Sequence, residues 1–401
     1  MAKARGISKV VAYKKETTFG ELAGNTGAKQ LRRTSADFNL TKENYESSEI
    51  RSDQQVADFR LGTQSVDGSL AGELSAGTYS DFIQSVLARD FTAAGTEALV
   101  DFTIAVNGLL HTLTRTTGSW LTNFKVGDVV QLSVAGSAAN QGNNLVVVGV
   151  TALVLTVRAL SSTALVPEAI TGATVSAIGK NTFIPKTGHT SDSYTIESFY
   201  SDIAQSEVYT GARVGTFNVS VPASGLVTCD ASFMGQGLKQ TGTTQYFTNP
   251  AALSTTGVVA AVNGTIILDG SATNACITDA SISIDRGLEA SQCIGNDKAE
   301  EIFLGTIRVT GSLSIYFEDA WMRDKFKDEQ TISIVLALAS GSAKDADVIV
   351  FTLPKVKISN FSTQDAEMAV MATADFTAML NDNETSGLIG STIAVTDTSL
   401  V

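Results

Sequence analysis

A ten-residue segment that occurs twice places the strongest constraint on the fold of this 401-residue chain. Residues 61–70 read LGTQSVDGSL and residues 304–313 read LGTIRVTGSL, so seven of ten positions are identical at an offset of 243. An alternating, strand-like segment precedes each copy, beginning at Ala36 and at Ala280. Chance similarity of this kind is improbable, and the pattern indicates one structural module present twice.

Both copies of the repeat alternate apolar and polar residues, which is typical of antiparallel strands with one buried and one solvated face. The apolar positions are Val66, Leu70 and Leu74 in the first copy and Val309, Leu313, Ile315 and Phe317 in the second. The polar positions are Asp67, Ser69 and Glu73 in the first copy and Thr310, Ser312 and Glu318 in the second. We expect the second set to form one exposed, short-chained face.

Helical and hairpin patterns complete each module. Residues 79–87 carry an apolar stripe at helical spacing, and residues 319–328 carry a weaker one. Alternating hairpins follow over 216–234 and over 355–376. Between the halves of the first module, residues 94–180 contain short strands separated by Gly and Asn turns, which predicts a small inserted β-barrel or sandwich.

The predicted fold is therefore mainly β, with tandem β-barrel or sandwich modules that each have a flanking α-helix. The expected divisions are a basic N-terminal arm at 1–35, a first module at 36–93 plus 181–245, the inserted β-domain at 94–180, a connecting hairpin or linker at 246–277, a second module at 278–380 and a C-terminal arm at 381–401.

Composition excludes several classes of protein. Hydrophobic residues make up 43% and charged residues 17% of the chain, against about 25% charged in a typical domain, so the chain can bury a core. The net charge of −13 argues against general affinity for a phosphate backbone. The sequence contains neither an apolar run long enough to span a membrane nor a signal-type apolar region after its first residues.

Charge is distributed unevenly along the chain. Residues 1–35 hold eight bases against two acids, a net charge of +6, so the remaining 366 residues carry −19. A basic arm on an acidic body can dock on a neighbouring copy, and a solvated tail is the alternative. The candidate docking residues are Lys3, Arg5, Lys9, Lys14, Lys15, Arg32 and Arg33. We expect both terminal arms to be disordered in the monomer.

No chemistry-bearing motif appears. His111 and His189 have no neighbouring ligand at metal spacing, and Cys229, Cys276 and Cys293 are scattered and predicted to be reduced and buried. Glu318 and Asp319 are adjacent in a predicted strand, so their side chains point to opposite faces. The sequence predicts no catalytic residue, no cofactor and no metal site.

Several segments together resemble the tail tube (major tail) proteins of long, non-contractile-tailed phages, the siphoviruses. In the first half these are residues 194–205, 208–214, 217–221 and 231–235, and in the second half residues 309–319 and 351–357. A Lys-Val-Gly-Asp-Val-Val element, common in the family's inserted domain, lies at 125–130. The resemblance covers about residues 35–380 and rests on the order of the segments.

The resemblance implies a structural virion protein that stacks in rings to form the hollow tail tube through which DNA is ejected. Because such rings usually contain six modules, two modules per chain imply a trimer that imitates six-fold symmetry, with a hexamer as the alternative. The polar face would line the bore, and the inserted domain would decorate the outside. Implied partners are further copies, tape-measure, tail terminator and tip proteins, and passing double-stranded DNA, with no membrane. Assembly would take place in the host cytoplasm.

Two other functions are consistent with parts of the sequence. A secreted β-rich adhesin or surface-layer protein would share the acidic, low-cysteine composition, but it predicts an export signal. A β-fold enzyme acting on glycosides predicts converging carboxylates and exposed aromatic residues in a cleft.

Overall fold

The computed structural model describes residues 3–133, 137–161, 165–270, 276–365, 369–382, 388 and 390–400. Strands make up 52% and helices 6% of the structure, which confirms the mainly-β fold class. The order of elements and the pairing of the strands show how the two halves of the chain are related.

The elements of the first half fall into three groups. Before the inserted domain lie β1 (Lys9–Lys15), β2 (Lys29–Gln30), β3 (Ser35–Glu46), β4 (Phe59–Glu73), α1 (Ser80–Leu87) and β5 (Thr92–Ala93). The inserted domain contains β6 (Thr96–Asn107), β7 (Leu110–Thr114), β8 (Val129–Ser133), β9 (Leu145–Val150), β10 (Val154–Ala159) and β11 (Glu168–Ala177). After it come β12 (Lys180–Phe183), β13 (Tyr194–Tyr200), β14 (Gln205–Pro222), β15 (Thr228–Gly235) and β16 (Gly237–Gly242).

The second half repeats the main strands and the helix in the same order, without the inserted domain and with a different set of short strands. They are β17 (Gly264–Leu268), β18 (Ile277–Asp285), β19 (Leu288–Ala290), β20 (Ile302–Leu304), β21 (Arg308–Tyr316), α2 (Trp321–Lys327), β22 (Thr331–Ala339), β23 (Val348–Gln364), β24 (Met371–Ala378) and β25 (Ala394–Asp397). Short 3-10 turns occur at Gly6–Ser8, Trp120–Thr122 and Ala261–Asn263.

Six antiparallel pairings recur in both halves with the strands in the same chain order. The pairings of the first half are β1–β13, β3–β4, β4–β15, β13–β14, β14–β15 and β14–β16. Those of the second half are β17–β22, β18–β21, β21–β24, β22–β23, β23–β24 and β23–β25. In each half the helix lies between the third and fourth of these strands, so the two halves are copies of one module.

The register of pairing repeats as well as the order. Ala36 pairs with Leu70, and Ala280 pairs with Leu313. The two long strands also bulge at the same place, between Val214 and Thr216 in β14 and between Ile358 and Asn360 in β23. A shared bulge is a specific feature of a fold, because it sets where a strand bends from one layer to the next.

The modules join edge to edge through β14 and β18, which pair from Thr216–Asp285 to Pro222–Asp279. This junction produces one continuous sheet of eight strands in the order β3-β4-β15-β14-β18-β21-β24-β23. Its apolar face packs on one hydrophobic core that contains residues of both modules and of both helices. We call these strands the eight-stranded sheet.

The inserted segment forms a closed barrel in the order β10-β7-β6-β11-β8-β9. Its core includes Val335 and Ala337 of β22, whereas Ile334 and Leu336 of the same strand belong to the main core. Strand β22 therefore separates the two cores, and the barrel lies on the far side of the main core from the eight-stranded sheet.

The structure corrects the expectation that both termini are disordered arms. Strand β1 pairs with β13 over seven residues, and Val11, Ala12 and Tyr13 are buried. Strand β25 pairs with β23 and β12, and its four residues are buried. Each strand completes a module because β1 corresponds to β17 and β16 corresponds to β25. The segment 246–277, expected to be a connecting hairpin or linker, instead contains β17, which pairs with β22 as the first strand of the second module.

Candidate functional site

The exposed side of the eight-stranded sheet carries rows of short polar side chains that run across both modules. One row contains Asp37, Ser69, Ser232, Thr216, Asp285 and Arg308. A second row contains Glu73, Thr228, Ser220, Ser281, Ser312, Asp375 and Asn360. We call this surface the polar face. Its continuity arises because the paired segments of the eight strands alternate and keep their polar positions on one side.

Negative charge dominates the polar face. Its carboxylates are Asp37, Asp67, Glu73, Asp230, Asp279, Asp285 and Asp375, and its bases are Arg308, opposite Asp285, and Lys357, opposite Thr377. Seven acids and two bases give this face a charge of −5 in each chain. Neighbouring amides donate to some of the carboxylates: Asn218 Nδ2 lies 2.7 Å from Asp230 and Asn360 Nδ2 lies 3.1 Å from Asp375.

The structure brings together five of the six polar residues selected from the sequence. Asp67, Ser69 and Glu73 lie on the polar face in β4, and Thr310 and Ser312 lie on it in β21. Glu318 does not, because β21 ends at Tyr316 and the chain turns towards α2, where Asp319 Oδ1 accepts a hydrogen bond from the Trp321 amide at 3.0 Å. The expectation that the alternating strand continues to residue 318 is therefore wrong for its last two residues, 317 and 318.

Sequence reasoning missed five acids of the polar face. Asp230 and Asp375 lie in the closing hairpins, and Asp37, Asp279 and Asp285 lie in β3 and β18, the strands that precede the two copies of the repeat. The alternation in 228–234 and 371–377 was a usable signal, since each acid occupies a polar position between apolar residues. What the sequence did not provide was the pairing that puts these strands in one sheet.

Both ends of the eight-stranded sheet are open in the described part of the chain. Residues 35–41 of β3 pair with β4 on one side, and residues 359–364 of β23 pair with β24 on one side. We call these segments the first edge and the second edge. An open edge lacks a partner strand and can pair with another chain, although at the first edge Ala36 O and Phe38 O already accept side-chain hydrogen bonds from Lys9 and Tyr209.

The hairpin between β3 and β4 extends beyond the sheet. Strand β4 pairs with β15 over residues 66–73, so residues 42–64 form a two-stranded ribbon, which we call the hairpin ribbon. Its exposed apolar side chains are Tyr45, Ile50, Val56, Phe59 and Leu61. Exposed apolar clusters of this kind commonly mark contact surfaces.

Five of the seven candidate docking bases have partners within the chain. The contacts are Lys9 Nζ to Ala36 O at 2.6 Å, Lys14 Nζ to Thr26 O at 2.7 Å, Lys15 Nζ to Asp192 Oδ1 at 2.8 Å, Arg32 Nη1 to Thr256 O at 2.8 Å and Arg33 Nη2 to Lys9 O at 2.6 Å. Burial also lowers the pKa of Lys9. Lys3 and Arg5 are exposed ahead of β1.

The residues that could carry other chemistry do not converge. His111 is buried in β7, and burial lowers its pKa. Cys229 is buried and burial raises its pKa, whereas Cys276 and Cys293 are exposed, which corrects the expectation that all three are buried. Within the described ranges, no three His, Cys, Asp or Glu residues are grouped to hold a metal ion. No helix among those residues is long and apolar enough to cross a membrane.

Comparison with known families agrees with this geometry. A family model described as phage tail tube protein matches residues 6–378, which include the first module, the inserted barrel and the second module as far as β24. The chain belongs to the phage tail tube family. As a tail tube protein it is a structural component of the virion, and membership implies a non-enzymatic role. Comparison with curated proteins gives no match.

Proposed function

We propose that this tail tube protein self-assembles into stacked rings that form the hollow tail tube of a long, non-contractile-tailed phage and conduct DNA into the host. The observation that carries the proposal is the eight-stranded sheet, which combines two open edges with an acidic polar face. The inserted barrel lies on the opposite side of the main core, so a ring built from these sheets has the barrel outside.

Three chains per ring is the stoichiometry that two modules per chain support, because family rings usually contain six modules. Three chains supply 24 strands of the eight-stranded sheet. At a strand spacing of about 4.8 Å and a tilt of about 40°, a closed barrel of this size has a backbone diameter of about 50 Å. Such a bore is wider than a DNA duplex. A ring of six chains would double the number of strands and is the alternative.

The charge of the polar face suits a conduit. Duplex DNA carries one negative charge per ~1.7 Å of its axis, and basic surfaces hold it by releasing counterions. A face with a charge of −5 in each chain does not bind DNA in this way. Because the screening length is ~8 Å at physiological salt, repulsion acts only close to the wall and leaves passage unobstructed.

Stacking of rings requires surfaces that point along the tube. The hairpin ribbon, with its exposed apolar residues, suits contact with a copy in the next ring. Lys3 and Arg5 remain candidates for a charged inter-ring contact, because their side chains are exposed at the start of the chain. We further propose tape-measure, tail terminator and tip proteins as partners and the host cytoplasm as the place of assembly.

Electron microscopy of the purified protein tests the proposal. Negative-stain images of the protein at high concentration should show rings or tubes with a stain-filled bore. Isolated globular particles under all conditions of salt and concentration would contradict self-assembly.

A further inference from the structure

The junction between the two modules is a template for the contact between two chains. In the duplicated module, β3 corresponds to β18 and β14 corresponds to β23. The junction is the pairing of β14 with β18. In it, β14 takes the place of β23, which carries the second edge, and β18 takes the place of β3, which carries the first edge. At the ends of the sheet, β23 and β3 each lack such a partner strand among the described residues.

The register fixes the counterparts residue by residue. Phe217 pairs with Ala231 in the first module, as Phe361 pairs with Ala374 in the second. At the junction, Phe217 pairs with Ile284. Ile284 occupies the position in β18 that Leu40 occupies in β3, four residues beyond Ala280 and Ala36 respectively. The junction pair Phe217–Ile284 thus has the edge residues Phe361 and Leu40 as its counterpart.

Burial differs between the two pairs. Phe217 and Ile284 are 1% and 0% exposed, whereas Leu40 is 37% exposed and Phe361 is half-buried. Burying apolar surface contributes about 25 cal/mol per Å². Leu40 and Phe361 are therefore apolar residues at positions that become fully buried when a partner strand is present, as Ile284 and Phe217 are at the junction.

A polar pair supports the same register. At the junction, Ser283 Oγ donates to Asn218 Oδ1 at 2.6 Å. The counterpart of Asn218 at the second edge is Ser362, and the counterpart of Ser283 at the first edge is Asn39. The Asn and Ser have exchanged strands, so the same side-chain hydrogen bond can form with the roles reversed.

We propose that the second edge of one chain pairs antiparallel with the first edge of a second copy, with Phe361 opposite Leu40, Ser362 opposite Asn39 and Thr363 opposite Phe38. This inference rests on the proposed assembly into rings and specifies its contact. The interface is head-to-tail, and an interface of this type closes into a ring when its rotation permits.

Cysteine crosslinking tests the register. All variants carry Cys276→Ser and Cys293→Ser to remove the exposed thiols. Residues directly opposite in a sheet have Cβ atoms about 4.5–5.5 Å apart and diagonal ones about 7–8 Å apart, whereas a disulfide requires about 3.5–4.5 Å. Asn39→Cys with Ser362→Cys should therefore crosslink chains at least about fivefold more than Asp37→Cys with Ser362→Cys, a slip of two residues.

The intramolecular pair provides the matched control. Asn218→Cys with Ser283→Cys has the same geometry within one chain and should form a disulfide in the monomer band on a non-reducing gel. If that control forms and microscopy shows rings, while the 39–362 pair gives no interchain product, the proposed register is wrong. Better crosslinking of the 37–362 pair would also overturn it.

The same gels and images separate this inference from the proposed function. Interchain 39–362 crosslinks without rings or tubes would support the edge contact and contradict the conduit. Rings without those crosslinks would support the conduit and contradict the edge contact. If neither rings nor crosslinks form, both proposals are wrong.

A charge at the first edge gives an independent measurement. Leu40→Glu should reduce the assembled fraction in sedimentation at least about tenfold, because the side chain would be buried opposite Phe361. Leu121→Glu is the control, since Leu121 is 39% exposed and lies on the inserted barrel. Equal assembly of the two variants would contradict the contact.

Discussion

Gly311 lies directly opposite Phe376 in the pairing of β21 with β24, as Gly68 lies opposite Phe233 in the pairing of β4 with β15. Both glycines belong to the ten-residue repeat. A Cβ atom at Gly311 would meet the Phe376 ring and the backbone oxygen of Ser281. The repeated glycine thus provides the space that the aromatic ring of the neighbouring strand occupies.

Gly311→Ala should lower the free energy of unfolding by about 1–3 kcal/mol, because the added methyl overpacks a site bounded by backbone. Gly341→Ala is the control, since nothing lies within 4 Å of a Cβ at that position. The measurement is denaturant unfolding of both variants beside the parent protein. If Gly311→Ala unfolds at the same denaturant concentration as the control, this account of the glycine is wrong.

Loss of apolar residues from the hairpin ribbon should separate ring formation from stacking. Ile50→Ser, Val56→Ser and Phe59→Ser together remove exposed apolar side chains at the ribbon's tip, so we expect rings in electron micrographs but at least about tenfold fewer tubes. The control combines Leu109→Ser, Leu153→Ser and Val166→Ser, which are exposed on the inserted barrel. Tubes of normal length from the ribbon variant would show that the ribbon does not join rings.

Replacing two acids of the polar face by lysines should make the bore retain more DNA than the parent tube. Asp67→Lys with Glu73→Lys changes the face from −5 to −1 in each chain, and tubes should still form because both side chains lie in solvent-facing positions of β4. Tubes mixed with short duplex DNA at about 0.05 M salt should then hold nuclease-protected DNA, and less of it at about 0.2 M. The control is Asp345→Lys with Asp328→Lys, two exposed positions off this face. Equal protection in both variants would contradict a lumenal polar face.

Asp128 links the inserted barrel to β12 and should make stability depend on pH. Its carboxylate accepts hydrogen bonds from the Lys125 amide at 2.8 Å and from Asn181 Nδ2 at 2.9 Å, and burial raises its pKa. The folded state therefore binds a proton more readily than the unfolded state. The free energy of unfolding falls as pH rises from about 4, the pKa of Asp in the unfolded chain, to the raised pKa of Asp128 in the folded chain. Above that pKa this contribution no longer changes with pH.

Asp128→Asn removes this titration and weakens one hydrogen bond, which costs about 1 kcal/mol. The variant should be less stable than the parent at pH 4, and the difference should shrink at pH 7. The difference in stability is measured from the unfolding midpoints of both proteins at the two pH values, with Asp345→Asn as an exposed control. A difference that is constant or grows with pH would contradict the role of burial.

Local patterns predicted much of the module. The repeat, the helix over 80–87 and the alternation in β4 could be read from neighbouring residues, because strands and helices have short periods. The polar positions Asp67, Ser69 and Glu73 followed from the same alternation. They lie on the polar face because residues 66–73 of β4 keep one register with β15.

Non-local pairing accounts for what could not be predicted. Strand β1 pairs with residues 194–200, and nothing in its basic sequence shows that a strand far along the chain buries Val11 and Tyr13. Strand β25 likewise depends on β12 and β23. Five of the seven bases that suggested a free arm contact carbonyl and carboxylate groups that only the folded chain brings near.

The number of chains in one ring tests the central claim, that each chain supplies two equivalent modules to the wall of the tube. An averaged cross-section from cryo-electron microscopy of assembled tubes should show six inner-wall modules contributed by three chains, with three inserted barrels on the outside. A ring of six chains, or one in which only the module around Gly68 or only that around Gly311 lines the bore, would contradict it.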